Sequence, residues 1–533
     1  MLPNKPLLQT AHASTSSAAN PQPVGYSWLI QHFGLEALPL AHASYIAGRA
    51  KLHWAASTVK QTYPASYRLK DSDSAVEHLL FALKYDGVAP DVLTGVFRQI
   101  PQADIGQVIA KAPGSKYVRL LGFWYEFFNE QPLALAASVT QAINGGYVNA
   151  LDEAIYYTNP SPTPPLRNSR WRVWDNLLGT RAFCPFVRRD DALEQALAFD
   201  LSAYMGRLST GIPPATFRRA IDYLYTKETK SSNEIEGEHP SSARLARFVQ
   251  MLAEAGKEPV HSQYAESAFT RLQNTIVDPR YAEHGYRTVQ NYVGQSSAYG
   301  ADDQVHYACP APDMVAGMMD ALAQCEMRSR GLPALLRAAL LAWGFVFIHP
   351  YEDGNGRIHR FLIHDVLARD GFVPAGLILP VSAHMLAHMT DYDRSLEAHS
   401  RPIMRMLDYR FDAQGKLCIA NPADIAPLWR YPSLNPQVAY LAHVVQQTAK
   451  EDLVQELLYL RNHDRAIKAM QAVVDAPDKT LNLLIRWLHQ NSGQLSNTKR
   501  QHAALAQLTP LELEGLVQAF QNAFFSETEV AAG

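Results

Sequence analysis

The stretch His349-Pro350-Tyr351-Glu352-Asp353-Gly354-Asn355-Gly356-Arg357-Ile358-His359-Arg360 stands apart from everything around it in this chain of 533 residues. It follows an apolar run, Ala338 to Ile348, of 11 residues between Arg337 and His349. It precedes Ile358, Phe361, Leu362, Val366 and Leu367, which are spaced as one helix face and stop at Gly371. The layout is therefore helix, loop, helix. Pro350 lacks an N–H and closes the first helix at His349, while Gly354 and Gly356 let the backbone turn tightly at the start of the second. The amides left free there form an anion nest. Arg357 and Arg360, three apart, leave from about the same helix face to meet further phosphate oxygens. Asp353 lies just ahead of the nest, where a carboxylate can hold a Mg2+ that bridges phosphates. His349 lies at the other lip, and an imidazole of pKa ~6.5 can take a proton from a hydroxyl at neutral pH. Asp-Gly-Asn-Gly alone is more often a turn than a site. A base, a metal carboxylate, a phosphate nest and two arginines within one dodecapeptide instead describe nucleotidyl or phosphoryl transfer.

Around this stretch the composition is ordinary. Lys+Arg number 48 against 51 Asp+Glu, a formal net charge of -3, which argues against binding nucleic acid or anionic membranes through bulk charge. With 47% hydrophobic and 19% charged residues the chain reads as globular, and at roughly 100–200 residues per domain its length allows about three to four domains. Cys184, Cys309, Cys325 and Cys418 form no C-x-x-C pair, so neither a zinc knuckle nor a disulfide framework is indicated. The Ala338–Ile348 run falls far short of the ~20 residues a membrane span needs, and reads as a buried core helix. Residues 1–25 are rich in Ala, Ser, Gln and Pro without an apolar core, so they read as a disordered leader rather than a signal peptide, and a cytoplasmic location is expected.

The expected fold class is mainly α. Residues 26–165 carry helical spacing, as in Val76, Leu79, Leu80 and Leu83, and form a helical N-terminal domain. Asn159 to Pro165 packs four prolines into NPSPTPP and marks a linker. A short hairpin is expected within 166–190. Helices then run to about 410, interrupted at 285–312 by Thr288, Val289, Tyr292 and Val293, a Gly/Ser/Asp cluster, and Val305 and Tyr307, the pattern of a β-hairpin with a long tip. Residues 411–533 are again helical, with starts at Ser496 and at Leu508-Thr509-Pro510; a winged-helix-like unit is an alternative there, suggested by short helices and the Lys499-Arg500 pair. Phe123, Trp124, Tyr125, Phe127 and Phe128 are assigned to the N-terminal interior. His384 and His388 have metal-ligand spacing but lack the Glu of H-E-x-x-H, and are read as packing residues.

The quoted dodecapeptide resembles the signature of the Fic family, H-x-F-x-[D/E]-G-N-G-R-x-x-R, with Tyr351 in place of Phe. The resemblance implies a Fic-type helical core, residues 166–410, with a β-hairpin flap, and an enzyme that transfers AMP from MgATP to a hydroxyl of a target protein. It makes His349 the base and Asp353 the Mg2+ ligand. It puts Gly354, Asn355, Gly356 and Arg357 on the α- and β-phosphates, and Arg360 on the γ-phosphate. Ser232-Asn233-Glu234-Ile235-Glu236-Gly237 resembles the family's inhibitory-helix pattern [S/T]-x-x-x-E-[G/N], which implies that Ser232, Glu236 and Gly237 belong to an N-terminal inhibitory helix whose Glu236 pairs with Arg360. Val293-Gly294 resembles the flap that holds the target by strand addition, although the Gln295 to Val305 insert is longer than usual. Asp391-Tyr392-Asp393 resembles the Asp-Tyr-Tyr of the adenine pocket, which makes Tyr392 the adenine candidate; Asp393 departs from the second Tyr, and Ser400 stands near a position where some relatives use Asn.

Two rival readings are kept. Within the fold, relatives transfer phosphate, UMP or phosphocholine, yet the intact Gly356-Arg357-x-x-Arg360 arrangement favours AMP transfer. Outside catalysis, the chain would be a nucleotide-sensing regulator or adaptor, which the intact His349 and Asp353 oppose. The expected partners are ATP, Mg2+ and a protein substrate, the chain itself included, with no membrane and no nucleic acid. Homo-oligomers are what the resemblance adds.

Overall fold

The structure, a computed structural model, describes residues 21–525 apart from 56–57, 161–165, 210–213, 260–263, 296–303 and 375. The chain divides into two compact units, one of Met1–Arg189, Arg328–Arg330 and Arg401–Pro432, the other of Asp190–Met327, Gly331–Ser400 and Ser433–Gly533. Both are mainly α.

The first unit is built on the helices Ala75–Tyr85, Pro90–Gln99, Gln102–Lys111 and Lys116–Asn129. Ser74 caps the first by accepting from the Glu77 N–H. Their apolar stripes meet in one core that includes Leu79, Val96, Ile109, Leu121 and Trp124, together with Phe123, Tyr125 and Phe128 of the aromatic run. Three sequence expectations shift. The leader ends earlier than 25, because Gln22–Val24 pairs antiparallel with His42–Ile46. The N-terminal region is not purely helical either: it holds a four-stranded sheet in which His42–Ile46 runs parallel to Thr58–Tyr63, itself antiparallel to Lys51–Ala55. Strands this short alternate too briefly to stand out in the sequence. Nor do the units part at the proline-rich stretch, of which 161–165 lies outside the described residues. The hairpin expected after it is present as Arg167–Asn168 against Val173–Trp174. It stays with the first unit because Trp171 is fully buried in that core and donates to Glu126 Oε2 at 2.7 Å. Residues 401–432 join the same unit, with the Cys184 and Phe186 N–H groups donating to the Arg430 and Pro432 carbonyls.

The second unit centres on Ala334–Ile348, whose residues from Leu335 onward are all buried, as a helix apolar on every face must be. It packs against Asn355–Arg369, the two joined by the quoted loop. Pro214–Ile235, Ser242–Ala253 and Glu266–Ile276 lie on these, and Tyr292–Gln295 pairs antiparallel with Gln304–Ala308 as the expected hairpin. The tip, 296–303, which contains most of the insert, lies outside the described residues. Asn435–Gln447, Leu453–Gln471, Asp478–Gln490 and Pro510–Phe525 complete the unit, the last three around Met470, Leu484, Leu488, Leu516 and Phe520. The starts expected at Ser496 and Pro510 are both present. Among the described residues after Ile419 there is no strand, so the winged-helix alternative has no wing there. No described helix is long and apolar enough to cross a membrane.

Candidate active site

His349 caps the Ala334–Ile348 helix with φ 54 and ψ 61, a left-handed conformation that few non-glycine residues adopt. Its N–H donates to the Phe345 carbonyl at 2.9 Å and its Nδ1 lies 3.1 Å from the Val346 carbonyl. That second bond assigns the proton to Nδ1 and leaves the lone pair on Nε2. Burial pushes the imidazole pKa down to about 4, with the nearby Arg287 guanidinium adding to the effect, so the ring is neutral at physiological pH.

The loop that follows is held in part by side chains the sequence reading did not single out, Thr270, Gln273 and Glu283. Tyr351 is fully buried and its hydroxyl lies 3.1 Å from Thr270 Oγ1, which supplies the polar partner that a Phe at this position would not need. Asn355 accepts from the Tyr351 N–H at 3.1 Å and donates back to the Tyr351 carbonyl at 2.8 Å. The Asn355 side chain is committed to the loop, so its backbone N–H is the group left to address a phosphate. Gln273 reaches the Asp353 carbonyl at 3.4 Å, and Glu283 accepts from the Glu352 N–H at 2.9 Å.

Gly354 enters the second helix with φ 89, and a Cβ there would lie 3.0 Å from Val277 Cγ1, so both backbone and space require glycine. The first-turn N–H groups of Asn355, Gly356 and Arg357 precede the first intrahelical bond, from the Ile358 N–H to the Gly354 carbonyl. Asp353 Oδ1 accepts from the Gly354 N–H and from Arg357 Nη2 at 3.0 Å, while its side chain is 42% exposed.

Both signature arginines are buried and bonded. Arg360 donates to Ser232 Oγ at 2.9 Å, to the Ser232 carbonyl at 2.7 Å and to Glu236 Oε1 at 2.7 Å, with Nη1 3.4 Å from the Tyr392 hydroxyl. Burial by itself would lower its pKa, but Glu236 and Tyr392 more than offset that and hold it above the usual value. Arg357 donates to Glu238 Oε2 at 2.8 Å, a partner that also lies 3.3 Å from Arg244 Nη2. One backbone device sets both carboxylates. Pro214–Ile235 ends in a left-handed Gly237, φ 68, with the Gly237 N–H bonded to the Glu234 carbonyl and the Glu238 N–H to the Asn233 carbonyl. This is the Schellman arrangement, and it sets Glu236 and Glu238 on either side of the turn. A Cβ on Gly356 would collide with Glu236 Oε1. The repeated acid in Glu236-Gly237-Glu238 was the sequence signal for the second contact.

A cavity of about 540 Å³ is lined by Glu236, Val293, Gly294, His349, Gly356, Tyr392, Asp393 and Ser400 among others. It therefore gathers the candidate base, the helix start, the expected flap pair and the adenine candidate. Tyr392 is buried and shares its hydroxyl with Arg360, a contact its assignment to adenine did not anticipate. His384 and His388 lie apart from this cavity: His384 Nδ1 is 3.1 Å from Asp452 Oδ2, and the two rings stack.

Comparisons with known proteins find similarity over the segment that carries the loop. The model of the Fic/DOC family matches residues 263–367, which span the flap and the signature. The chain is similar to protein adenylyltransferase fic-1 of Caenorhabditis briggsae, 33% identical over 158 residues that cover 30% of this chain and 24% of that protein. It is also similar to protein adenylyltransferase Fic of Nematostella vectensis, 24% identical over 284 residues that cover 49% of this chain and 56% of that protein. The matched segments thus span about a quarter to about half of these relatives. Among solved structures, a Fic family protein from Desulfovibrio desulfuricans aligns with a TM-score of 0.37 and 16% identity, covering 53% of this chain and 80% of that one. A Caenorhabditis elegans Fic-1 structure aligns with a TM-score of 0.31 and 14% identity, covering 74% and 94%. Residues 263–367 of this chain are thus similar to the Fic/DOC family domain.

Proposed function

We propose that this chain is an autoinhibited protein adenylyltransferase that transfers AMP from MgATP to a Ser, Thr or Tyr hydroxyl of a target protein and releases pyrophosphate. The observation that carries the reading is a neutral imidazole with its Nδ1 proton tied to Val346, facing the same cavity as an open helix N-terminus. The activity printed in the names of the two relatives, protein adenylyltransferase, supports it.

In this reading the phosphates of ATP lie on the first-turn amides of Asn355–Arg369, with Arg357 and Arg360 on the outer oxygens. His349 Nε2 takes the proton of the target hydroxyl as its oxygen bonds the α-phosphorus. The bond from that phosphorus to the bridging oxygen breaks, and pyrophosphate leaves with the electron pair. The chain's part is to position, neutralise and deprotonate. A partly open carboxylate beside phosphate-directed amides suits Mg2+, which takes one or two carboxylates and fills its shell with phosphate oxygens and water; bound at Asp353 it would neutralise phosphate charge. Tyr392, on the wall of the cavity, is the proposed adenine contact, and Val293 and Gly294 the proposed target contacts.

The inhibitory half of the reading rests on the paired arginines. Glu236 bonds the Arg360 guanidinium proposed for the γ-phosphate, and Glu238 bonds the Arg357 guanidinium proposed for the α- and β-phosphates. The whole reading is tested with ATP labelled on the α- or the γ-phosphate, in wild type, Glu236→Gly and His349→Ala. α-Label should appear on protein, increase in Glu236→Gly and vanish in His349→Ala. Transfer of γ-label alone would replace AMP transfer with phosphorylation.

A further inference from the structure

Arg287 lies outside the signature and the inhibitory pattern, and only 3% of it is exposed. Its guanidinium donates to the His349 carbonyl through Nε at 2.7 Å, to the Val289 carbonyl through Nη1 at 2.9 Å and to the Pro310 carbonyl through Nη2 at 2.7 Å. Nη2 also lies 3.5 Å from the Ile348 carbonyl, and the Arg287 N–H donates to the Pro350 carbonyl at 2.8 Å. These acceptors fall into two groups. Ile348, His349 and Pro350 are the end of the Ala334–Ile348 helix, where the carbonyls carry the negative pole of the helix dipole and suit a buried cation. Val289 and Pro310 are the two roots of the Tyr292–Gln295 and Gln304–Ala308 hairpin, just before its first strand and just after its second.

One planar cation thus ties the backbone of the proposed base to both roots of the flap. Two further contacts brace the same region: Tyr307 of the second strand donates to the Phe347 carbonyl at 2.6 Å, tying the hairpin to the helix, and Gln290 donates to the Cys309 carbonyl at 2.8 Å, tying one root to the other. The left-handed backbone of His349 also needs outside support, since a non-glycine residue persists there only when its surroundings hold it. Arg287 holds the carbonyl on one side of that residue while Val346 holds its ring.

We infer that Arg287 is a positioning residue for the transfer step: it sets the distance between a target hydroxyl carried on the flap and His349 Nε2, without touching nucleotide or target. The inference rests on the adenylyltransferase reading, because only transfer to a flap-bound acceptor needs this register. A water molecule as acceptor needs no strand to carry it, so hydrolysis of ATP to AMP does not depend on the flap in the same way. A lysine keeps the charge but lacks the planar fork that spans two groups of carbonyls.

The test uses the full chain carrying Glu236→Gly, alone and with Arg287→Lys or Arg287→Gln. Three quantities are read with α-labelled ATP and Mg2+: label on protein, labelled AMP released to water, and the KM for ATP. Label on protein should fall by about tenfold to a hundredfold, the range expected when a reacting group is displaced by about 1 Å. AMP released to water should fall several-fold less, and the KM for ATP should stay within about twofold. Arg287→Lys should recover less than half of the lost transfer. Equal losses in both products, a rise in the KM for ATP in step with them, or unchanged transfer would overturn the assignment. Absence of α-label in the parent with Arg287 intact would overturn the transferase reading, and this inference with it.

Discussion

Removing Glu236 should release activity by an amount that follows from its contact with Arg360. The pair is a 2.7 Å charge-assisted bond between a guanidinium 1% exposed and a carboxylate 35% exposed. Hydrogen bonds to charged groups contribute about 1.5–3 kcal/mol. Half-exposure of the carboxylate favours the lower half of that range, and Arg360 keeps Ser232 as a partner when Glu236 is gone. At 1.36 kcal/mol per factor of ten, Glu236→Gly should raise AMP transfer about tenfold to fiftyfold at subsaturating ATP. Glu236→Gln, which keeps an acceptor oxygen without the charge, should fall between. Glu238 is 28% exposed and can fall back on Arg244, so Glu238→Gln should add only about twofold to tenfold. The assay is initial-rate transfer of α-label to protein across the two single variants and the double. Because the carboxylates bear on different arginines, their effects should multiply to within about threefold. A Glu236→Gly protein no faster than wild type would refute the argument that this pair restrains the site. A double variant no faster than Glu236→Gly would remove Glu238 from it.

Other outcomes follow from single contacts. The acid limb of kcat/KM in an activated variant should lie near pH 4 rather than ~6.5, because burial lowers the His349 pKa to about 4; the base is competent above that value and is lost as pH falls through it. A limb near 6.5 would mean that the imidazole is not desolvated. Tyr351→Phe removes the bond to Thr270 Oγ1, which retains its own bond to the Glu266 carbonyl; thermal unfolding should shift by about 1 kcal/mol or less, with transfer nearly unchanged. Gly356→Ala should cost more stability in wild type than in Glu236→Gly, since the new methyl meets the Glu236 carboxylate; equal melting shifts in the two backgrounds would contradict that contact.

The signature loop was legible because each of its features is local. Pro350 closes a helix, Gly354 permits φ 89, and a helix N-terminus follows, all within a few bonds of one another. The stretch resembling the inhibitory pattern was legible for a similar reason, as Ser232 and Glu236 sit one turn apart at the end of one helix and reach the same arginine. What escaped was set by distance along the chain. Arg287 finds its acceptors 23 and 62 residues away. Glu238 meets Arg357 across 119 residues, and Thr270 meets Tyr351 across 81. The short strands of the first unit were missed because each is stabilised by a partner strand rather than by its own pattern.

By itself, then, the sequence determined the helix-loop-helix, a set of residue types suited to phosphate and proton transfer, and the acid that pairs with the second arginine, because backbone chemistry and helical spacing act over one or two turns. The tertiary structure decided which way those groups face. It turned Asn355 inward, gave His349 Nδ1 the Val346 carbonyl as a partner, drew Tyr392 onto Arg360 and tied the hairpin roots to the His349 backbone through Arg287. A buried polar group must find a partner wherever the fold supplies one, and that partner is set by packing between distant segments rather than by sequence neighbours.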